Sequence, residues 1–399
     1  MKVAFNARYL YDPGLRGFNR YSFCLLRELE KIADVEIWLL SEDRYPVHEF
    51  YRSALRAQVT NLRASRTVLW EQFLVPRYLR ALKPDVFHAP ADGGLPAEKA
   101  CPYVLTCHGV PERGLAHLLS SGTLRGTLDD YLDAGAKNGS RAASAFQRVR
   151  GELFSYLYLR VADLVITVSE FSKDELVRFR GVSAEKVRVI YEAPDEIFAR
   201  PLPTAYIEHV RKRYGIPPRF VLFVGGFDRR KNVLTLLAAF AELRKAECDV
   251  ALVLVGIGGD VEGCRLQSEV LGLKDGQHVF FWHRVPDQEL AALYRAASLF
   301  TTLSWHEGFC LPLVEAMSCG TPVLASSFGA IPEVLGEGGW IVDPRRVDEI
   351  VGAMRTILGR DDVRDELRSR ALLRSKSFSW QRAAQQTLSA YKDVCSGCD

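Results

Sequence analysis

Along almost the whole chain, short apolar runs alternate with amphipathic segments of helix length. This alternation constrains the fold more than any other feature. Neighbouring parallel strands need a crossover helix between them, whereas antiparallel strands close through a short turn. KVAFNA, VEIWLL, DVFHAP, YVLTCH, LVITVS and VRVIYEA read as strands in the first half; FVLFVGG, VALVLVG, HVFFWH, LFTTLS, TPVLASS and GWIVD do so in the second. Segments such as NVLTLLAAFAELRKA and DQELAALYRAAS read as helices between them. The 399 residues suffice for two domains with a core each. A boundary is expected near 199–217, in the proline-rich ARPLPTAYIEHVRKRYGIPP, which has little strand character. The predicted architecture is two doubly wound α/β domains facing a cleft, with ligands beyond the carboxyl ends of the strands.

Composition narrows the functional classes. Hydrophobic residues at 48% and charged residues at 25% describe a globular chain, and a net charge of +3 is too mild to call for nucleic acid. Between Arg52 and Lys83, however, seven basic residues face one acid, Glu71. A solvated surface is the plain reading, and contact with anionic lipid headgroups the alternative. No signal-like segment precedes the first strand, no apolar run is long enough to span a bilayer, and nine cysteines are scattered. A cytoplasmic protein with reduced thiols is expected, with peripheral contact at the inner membrane face as an extension. The terminal CSGC, lacking a second pair, reads as a frayed tail. Residues 115–150 are too long and polar for an ordinary connection and read as a lid or a helical insertion.

Two stretches of the second half carry most of the chemistry. HEGFCLPLVEAM, residues 306–317, sets Glu307 and Glu315 on either side of Gly308, Phe309, Cys310, Leu311 and Pro312. LFTTLS before it reads as a strand, and the residues after Pro312 as a helix, because proline suits a first helical turn. Residues 308–311 then form a bend at a helix N-terminus, where backbone amides and the helix dipole favour an anion such as a nucleotide phosphate. Two glutamates so spaced suit an acid and a base, as in sugar hydrolysis, or a grip on one ligand. Carboxylates touching a diphosphate would repel it, so hydroxyls on either side of it suit them better. A nucleotide sugar has hydroxyls at both ends. A capped helix with a surface glutamate is the plain alternative. In FVGGFDRRKNV, a strand ends in Gly225 and Gly226 and a loop carries Arg229, Arg230 and Lys231. A guanidinium fork and a point charge at a strand's carboxyl end suit a diphosphate. Alone the loop would read as solvated surface; beside EGFCLPLVE it reads as a phosphate clamp.

These motifs have company. GLRGFNRYS, LWEQFLVPRYLRALKPDVFHAP, VITVSEFSKDEL, GGFDRRKN, VPDQELAALYRAASLF, EGFCLPLVE with EAMSCGTPVLAS, and FSW follow one another in order. Over nearly its whole length the chain resembles the retaining GT-B glycosyltransferases of family 4, also called group 1. The resemblance implies a GT-B fold of two Rossmann-like domains. Residues 1–200 with 381–399 would bind the acceptor, and 201–380 the nucleotide sugar. It implies that Glu307 holds a hydroxyl of the donor sugar, that the amides of Gly308, Phe309, Cys310 and Leu311 bind sugar and phosphate, and that Glu315 holds the ribose. Arg230 and Lys231 would stabilise the departing nucleoside diphosphate. Gly17 would approach donor phosphate and acceptor, His108 would lie close to the donor sugar, and Val285, in VPD, would contact the base through its backbone. Three positions depart from the family: Gly109 follows His108 where aspartate is common, Gly226 stands where many members carry arginine, and Cys310 stands where glycine is usual. Arg230 is expected to take the missing arginine's part. Cys310 is expected to lend its amide without a special backbone angle, a low-pKa thiol being the weaker idea.

The implied reaction is sugar transfer with retention at the anomeric carbon. Double displacement would need a carboxylate nucleophile, and both glutamates are occupied in holding. A front-face reaction, in which the leaving diphosphate takes the acceptor's proton, needs chiefly positioning and charge stabilisation. No aspartate pair suits a metal, since LDDYLD (128–133) and RDDVRDE (360–366) read as exposed helix charges, so neither metal nor cofactor is expected. The spellings LWEQ, VSEFSK and RRKN resemble a bacterial subgroup that builds polysaccharides and often uses GDP-mannose. That points to mannose transfer onto a saccharide, lipid-linked or small-molecule acceptor. A nucleotide-sugar epimerase and a non-catalytic scaffold are the alternatives. A nicotinamide-dependent oxidoreductase is disfavoured because VGIGGD lies deep in the second half rather than after the first strand.

Overall fold

The computed structural model describes residues 1–12, 17–125, 154–245, 249–256 and 258–396. These fall into two compact units, one holding 1–110, 154–192 and 379–396, the other 111–125 and 193–378. The first boundary therefore precedes the proline-rich stretch instead of lying within it. Residues 111–125 also sit with the second unit, contrary to the expected 1–200 division, because Leu115 and Leu124 bury against Trp305. The remainder of 115–150, LDDYLD, and Cys398 lie outside the described residues.

The first unit is built on a parallel sheet of β1 (Lys2–Asn6), β2 (Glu36–Glu42), β3 (Gln58–Leu62), β4 (Val86–Ala89), β5 (Tyr103–Cys107), β6 (Leu164–Thr167) and β7 (Val187–Val189), in the order β3-β2-β1-β4-β5-β6-β7. β4 and β5 are buried along their whole length, as strands covered on both faces must be, and that is why they read as continuous apolar runs. β3 has no such run. Its sequence QVTNL is half exposed at the sheet edge and, among the described residues, pairs with β2 alone, from Trp38↔Gln58 to Glu42↔Leu62. It lies inside the basic 52–83 stretch, which is thus an edge strand and a helix rather than one surface. Within that stretch Trp70 is buried, with its indole donating to the Ser41 carbonyl at 3.0 Å, and Arg63 pairs with Asp43 at 2.9 Å.

The second unit carries β8 (Phe220–Val224), β9 (Ala251–Val255), β10 (Val279–Trp282), β11 (Leu299–Thr302), β12 (Val323–Ser326) and β13 (Trp340–Val342), again parallel, in the order β10-β9-β8-β11-β12-β13. In each sheet the winding reverses at one place, between β1 and β4 and between β8 and β11, and the carboxyl ends there are where such folds bind ligands.

Five helices matter below: α1 (Phe18–Leu29), α2 (Val233–Lys245), α3 (Asp287–Ala296), α4 (Leu311–Ser318) and α5 (Trp380–Ser396). α5 packs on the first unit, and a buried polar chain fastens it there. The Tyr391 hydroxyl lies 2.6 Å from His88 Nδ1, His88 Nε2 lies 2.7 Å from Thr106 Oγ1, and Thr106 lies 3.0 Å from the Tyr21 hydroxyl on α1. Burial drives the His88 ring down to about 3, so it serves this chain as a neutral group. Cys395 belongs to α5 and lies 3.3 Å from the Asp85 carbonyl, so the tail is ordered at least that far.

Candidate functional site

In the second unit, the chain leaves β8 through Gly225 and a half-buried Gly226 and makes one tight turn, Arg229–Lys231. Asn232 ends the turn at φ 57°, a left-handed angle that asparagine tolerates. Its amide donates to the Leu303 carbonyl at 3.1 Å, and its oxygen accepts from the Thr235 hydroxyl at 2.7 Å before α2 begins. The neighbouring β11 delivers residues 303–310 to the same edge, and the Trp305 amide donates to the Arg230 carbonyl at 2.8 Å. The two motifs singled out in the sequence therefore meet at the reversal point of this sheet.

Glu307 is the hub. Lys231 Nζ donates to its Oε1 at 2.5 Å, while Arg230 Nη1 reaches Oε2 at 3.3 Å and the His306 carbonyl at 2.9 Å. Arg230 Nε lies 3.4 Å from Asp228 Oδ1. Burial alone would raise the Glu307 carboxyl, but Lys231 and Arg230 outweigh it and bring it down to about 2. Its backbone is backed by the loop after β12: the Ala330 amide donates to the Glu307 carbonyl at 2.9 Å. At Gly329, φ 67°, a Cβ would come within 2.7 Å of the Glu307 nitrogen, so only glycine fits.

Beyond Glu307, half-buried Gly308 and buried Phe309 lead to Cys310, which caps α4; Leu311 and Pro312 form the first turn. Cys310 corrects one expectation and agrees with another. Its backbone is left-handed, φ 79° and ψ 69°, so the position does demand the special angle that glycine adopts freely. Its thiol is not of low pKa, in keeping with the weaker standing of that idea, since burial and then the Glu307 charge push it up to about 12. Further along α4, Glu315 is buried and accepts from the Tyr294 hydroxyl of α3 at 3.1 Å. Val285 is buried just before α3, next to Pro286 at that helix's start. Arg230, Lys231, Glu307 and Cys310 thus form one group, and Glu315 is anchored separately by the helix that follows Val285.

In the first unit, Gly17 starts α1 with φ 52° and ψ −120°; a Cβ there would meet nothing within 4 Å, so the angle rather than space calls for glycine. His108 directly follows β5. Its backbone amide donates to Asp92 Oδ1 at 2.8 Å, its Nδ1 lies 3.0 Å from Glu192 Oε1, and its Nε2 lies 2.9 Å from the Pro90 carbonyl. The ring packs against Phe18 (centroids 4.8 Å) and the edge of Tyr21 (4.7 Å).

Comparison with known proteins bears on this arrangement. Residues 15–196 match the family model described as Glycosyltransferase Family 4, and residues 207–374 match that described as Glycosyl transferases group 1. The chain belongs to the group 1, family 4 glycosyltransferases. O-antigen chain mannosyltransferase B of Escherichia coli is 33% identical over 232 residues, 58% of this chain and 61% of that protein. The serotype-specific mannosyltransferase WbdA of Escherichia coli is 30% identical over 236 residues, 58% of this chain but 29% of its own length. This chain thus spans less than two thirds of the curated relatives it matches there. Anabaena HepE, solved in complex with UDP and glucose, superposes with a TM-score of 0.70 at 20% identity, covering 98% of this chain and 100% of that one, which supports the GT-B fold.

Three residues that contact the candidate residues were not singled out from the sequence: in the second unit Asp228 beside Arg230 and Tyr294 on Glu315, and in the first unit Glu192 on His108. Glu192 follows β7 at a carboxyl strand end, so the strand-end rule could have found it. Tyr294 sits among the apolar residues of DQELAALYRA, where the sequence does not set it apart from core. Among the described residues no helix is long and apolar enough to cross a membrane, and no three His, Cys, Asp or Glu side chains gather to hold a metal ion.

Proposed function

We propose that this glycosyltransferase moves a sugar, with retention at the anomeric carbon, from a nucleotide-sugar donor to a saccharide or lipid-linked acceptor, with GDP-mannose as the preferred donor. The observation that carries the reading is the grouping of Lys231, Arg230 and Glu307 at the reversal point of the second sheet. Lys231 spends one of its three N–H donors on Glu307, and the ammonium and guanidinium together offer a diphosphate both charge and hydrogen bonds. The relatives named mannosyltransferases support mannose, and HepE's complex with UDP and glucose supports a nucleotide-sugar donor.

Both glutamates of the motif are held by neighbours, Glu307 by two cations and Glu315 by Tyr294, and neither is left as a nucleophile in this reading. The front-face path then follows. The bond from the anomeric carbon to the diphosphate oxygen breaks, the acceptor oxygen bonds to that carbon on the same face, and the acceptor's proton passes to the departing diphosphate. Lys231 and Arg230 stabilise the charge that develops there, a part that would make a metal ion unnecessary. Exposed Val68, Leu69 and Phe73, among the basic residues of 52–83, support peripheral contact with a membrane carrying a lipid-linked acceptor at the cytoplasmic face. The test is a panel of nucleotide sugars scored for thermal stabilisation and slow hydrolysis, with the product's anomeric configuration read by NMR and the assay repeated in EDTA. Stabilisation and turnover by GDP-mannose, an unchanged anomer and indifference to EDTA are expected. An inverted anomer, or activity lost in EDTA and restored by magnesium, would overturn the corresponding part.

A further inference from the structure

Both ring nitrogens of His108 are already spoken for. The Pro90 carbonyl can only accept, so Nε2 carries a proton. An ionised Glu192 can also only accept, so Nδ1, 3.0 Å from its Oε1, carries one too. Glu192 is buried, with 6% of its side chain exposed, and a buried carboxylate needs such a cationic donor. The groups around the ring favour the charged form. The Asp92 carboxylate accepts from the His108 amide, His88 stays neutral between Tyr391 and Thr106, and the Tyr21 hydroxyl is turned to Thr106. The Cys107 thiol, with Arg180 nearby, is held far above its usual value by burial and stays uncharged. Burial by itself would lower the His108 ring; Glu192, Asp92 and the Pro90 carbonyl outweigh it, and the net shift is upward.

We propose that Glu192 is a positioning residue that locks His108 as an imidazolium, both N–H groups donated within the chain, so that His108 supplies a fixed ring and charge at the carboxyl end of β5 and takes no proton from the acceptor. The proposal rests on glycosyl transfer as the reaction and sharpens it: the acceptor's proton leaves with the diphosphate, because the histidine next to α1 has no nitrogen able to receive it.

The decisive measurement is 15N NMR of histidine-labelled wild-type protein at pH 7, the His108 signals being those that disappear in His108→Gln or move in Glu192→Gln. Both nitrogens should be protonated. A ring with an unprotonated Nδ1 in the wild type overturns the proposal, and either variant alone suffices to assign the His108 signals. Glu192→Gln keeps the shape of the side chain and lets its amide donate to Nδ1, so the ring should become neutral, protonated at Nε2 alone. In turnover, that variant should lose about tenfold in kcat with donor KM unchanged. It should also gain a pH-dependent limb near the ordinary histidine range, about 6.5, that the wild type lacks. An unchanged kcat with a neutral ring would refute the positioning role. If neither protein hydrolyses any nucleotide sugar, the glycosyl-transfer reading fails, while the spectrum still decides the state of the pair.

Discussion

The two units both carry charged groups at the carboxyl ends of parallel strands, after β5 and β7 in the first and after β8 and β11 in the second, and use them in opposite ways. In the first unit one carboxylate, Glu192, and one carbonyl consume both donors of His108. In the second, Glu307 draws on Lys231 and Arg230 at once but takes one donor from Lys231, so the ammonium retains capacity for an anion. A closed pair fixes geometry, whereas an open group of two cations around one acid can also bind. Strand-end chemistry therefore has to be read by counting donors and acceptors, not by noting that a charged residue is present.

The largest effect should come from breaking the open group. Lys231→Ala should lower turnover of the preferred donor by about 3 kcal/mol in transition-state terms, roughly a hundredfold or more, by analogy with loss of one oxyanion donor. Steady-state hydrolysis of the donor measures it, and rates equal to wild type would place catalysis elsewhere. Next is the acid sensitivity of the same group. Folding holds the Glu307 carboxyl at about 2 against an ordinary 4.5, so its stabilisation is complete above pH 4.5 and fades as pH falls towards 2. Melting temperatures across that range should drop less steeply in Glu307→Gln than in wild type; parallel curves would show that the ion pairs do not stabilise the fold.

Smaller effects test Cys310. Replacing it with glycine removes a side chain from a left-handed backbone and should stabilise the protein by about 1 kcal/mol in urea unfolding, with turnover nearly unchanged. A loss of stability would mean that the buried thiol's packing outweighs the strain. Finally, a thiol held near 12 within the fold should resist alkylation at pH 8 until the protein is unfolded, which mass spectrometry of the Cys310 peptide would record.

How far the sequence carried this picture depended on burial. Strands covered on both faces, such as β4, β5 and β8, announce themselves as unbroken apolar runs. β3 does not, because an edge strand with exposed Gln58 and Asn61 and half-buried Thr60 has no run to show. Arg230, Lys231 and Glu307 could be singled out because both motifs stand at the carboxyl ends of readable strands. The contacts that fix them were not, since Glu192 and His108 lie 84 residues apart and the Glu307 and Lys231 pair 76. Nor was the left-handed turn at Cys310, because a cysteine gives no hint of an angle that a glycine would have advertised.

The polar chain from Tyr391 through His88 and Thr106 to Tyr21 has a consequence in time. His88 and Tyr391 are separated by 303 residues, with the whole second unit between them. On a ribosome adding about 5–20 residues per second, the first unit waits on the order of tens of seconds for its closing helix. Throughout that interval the face of α1 that α5 later covers is open to anything else in reach. Of the two units, the one begun earlier is the one completed later.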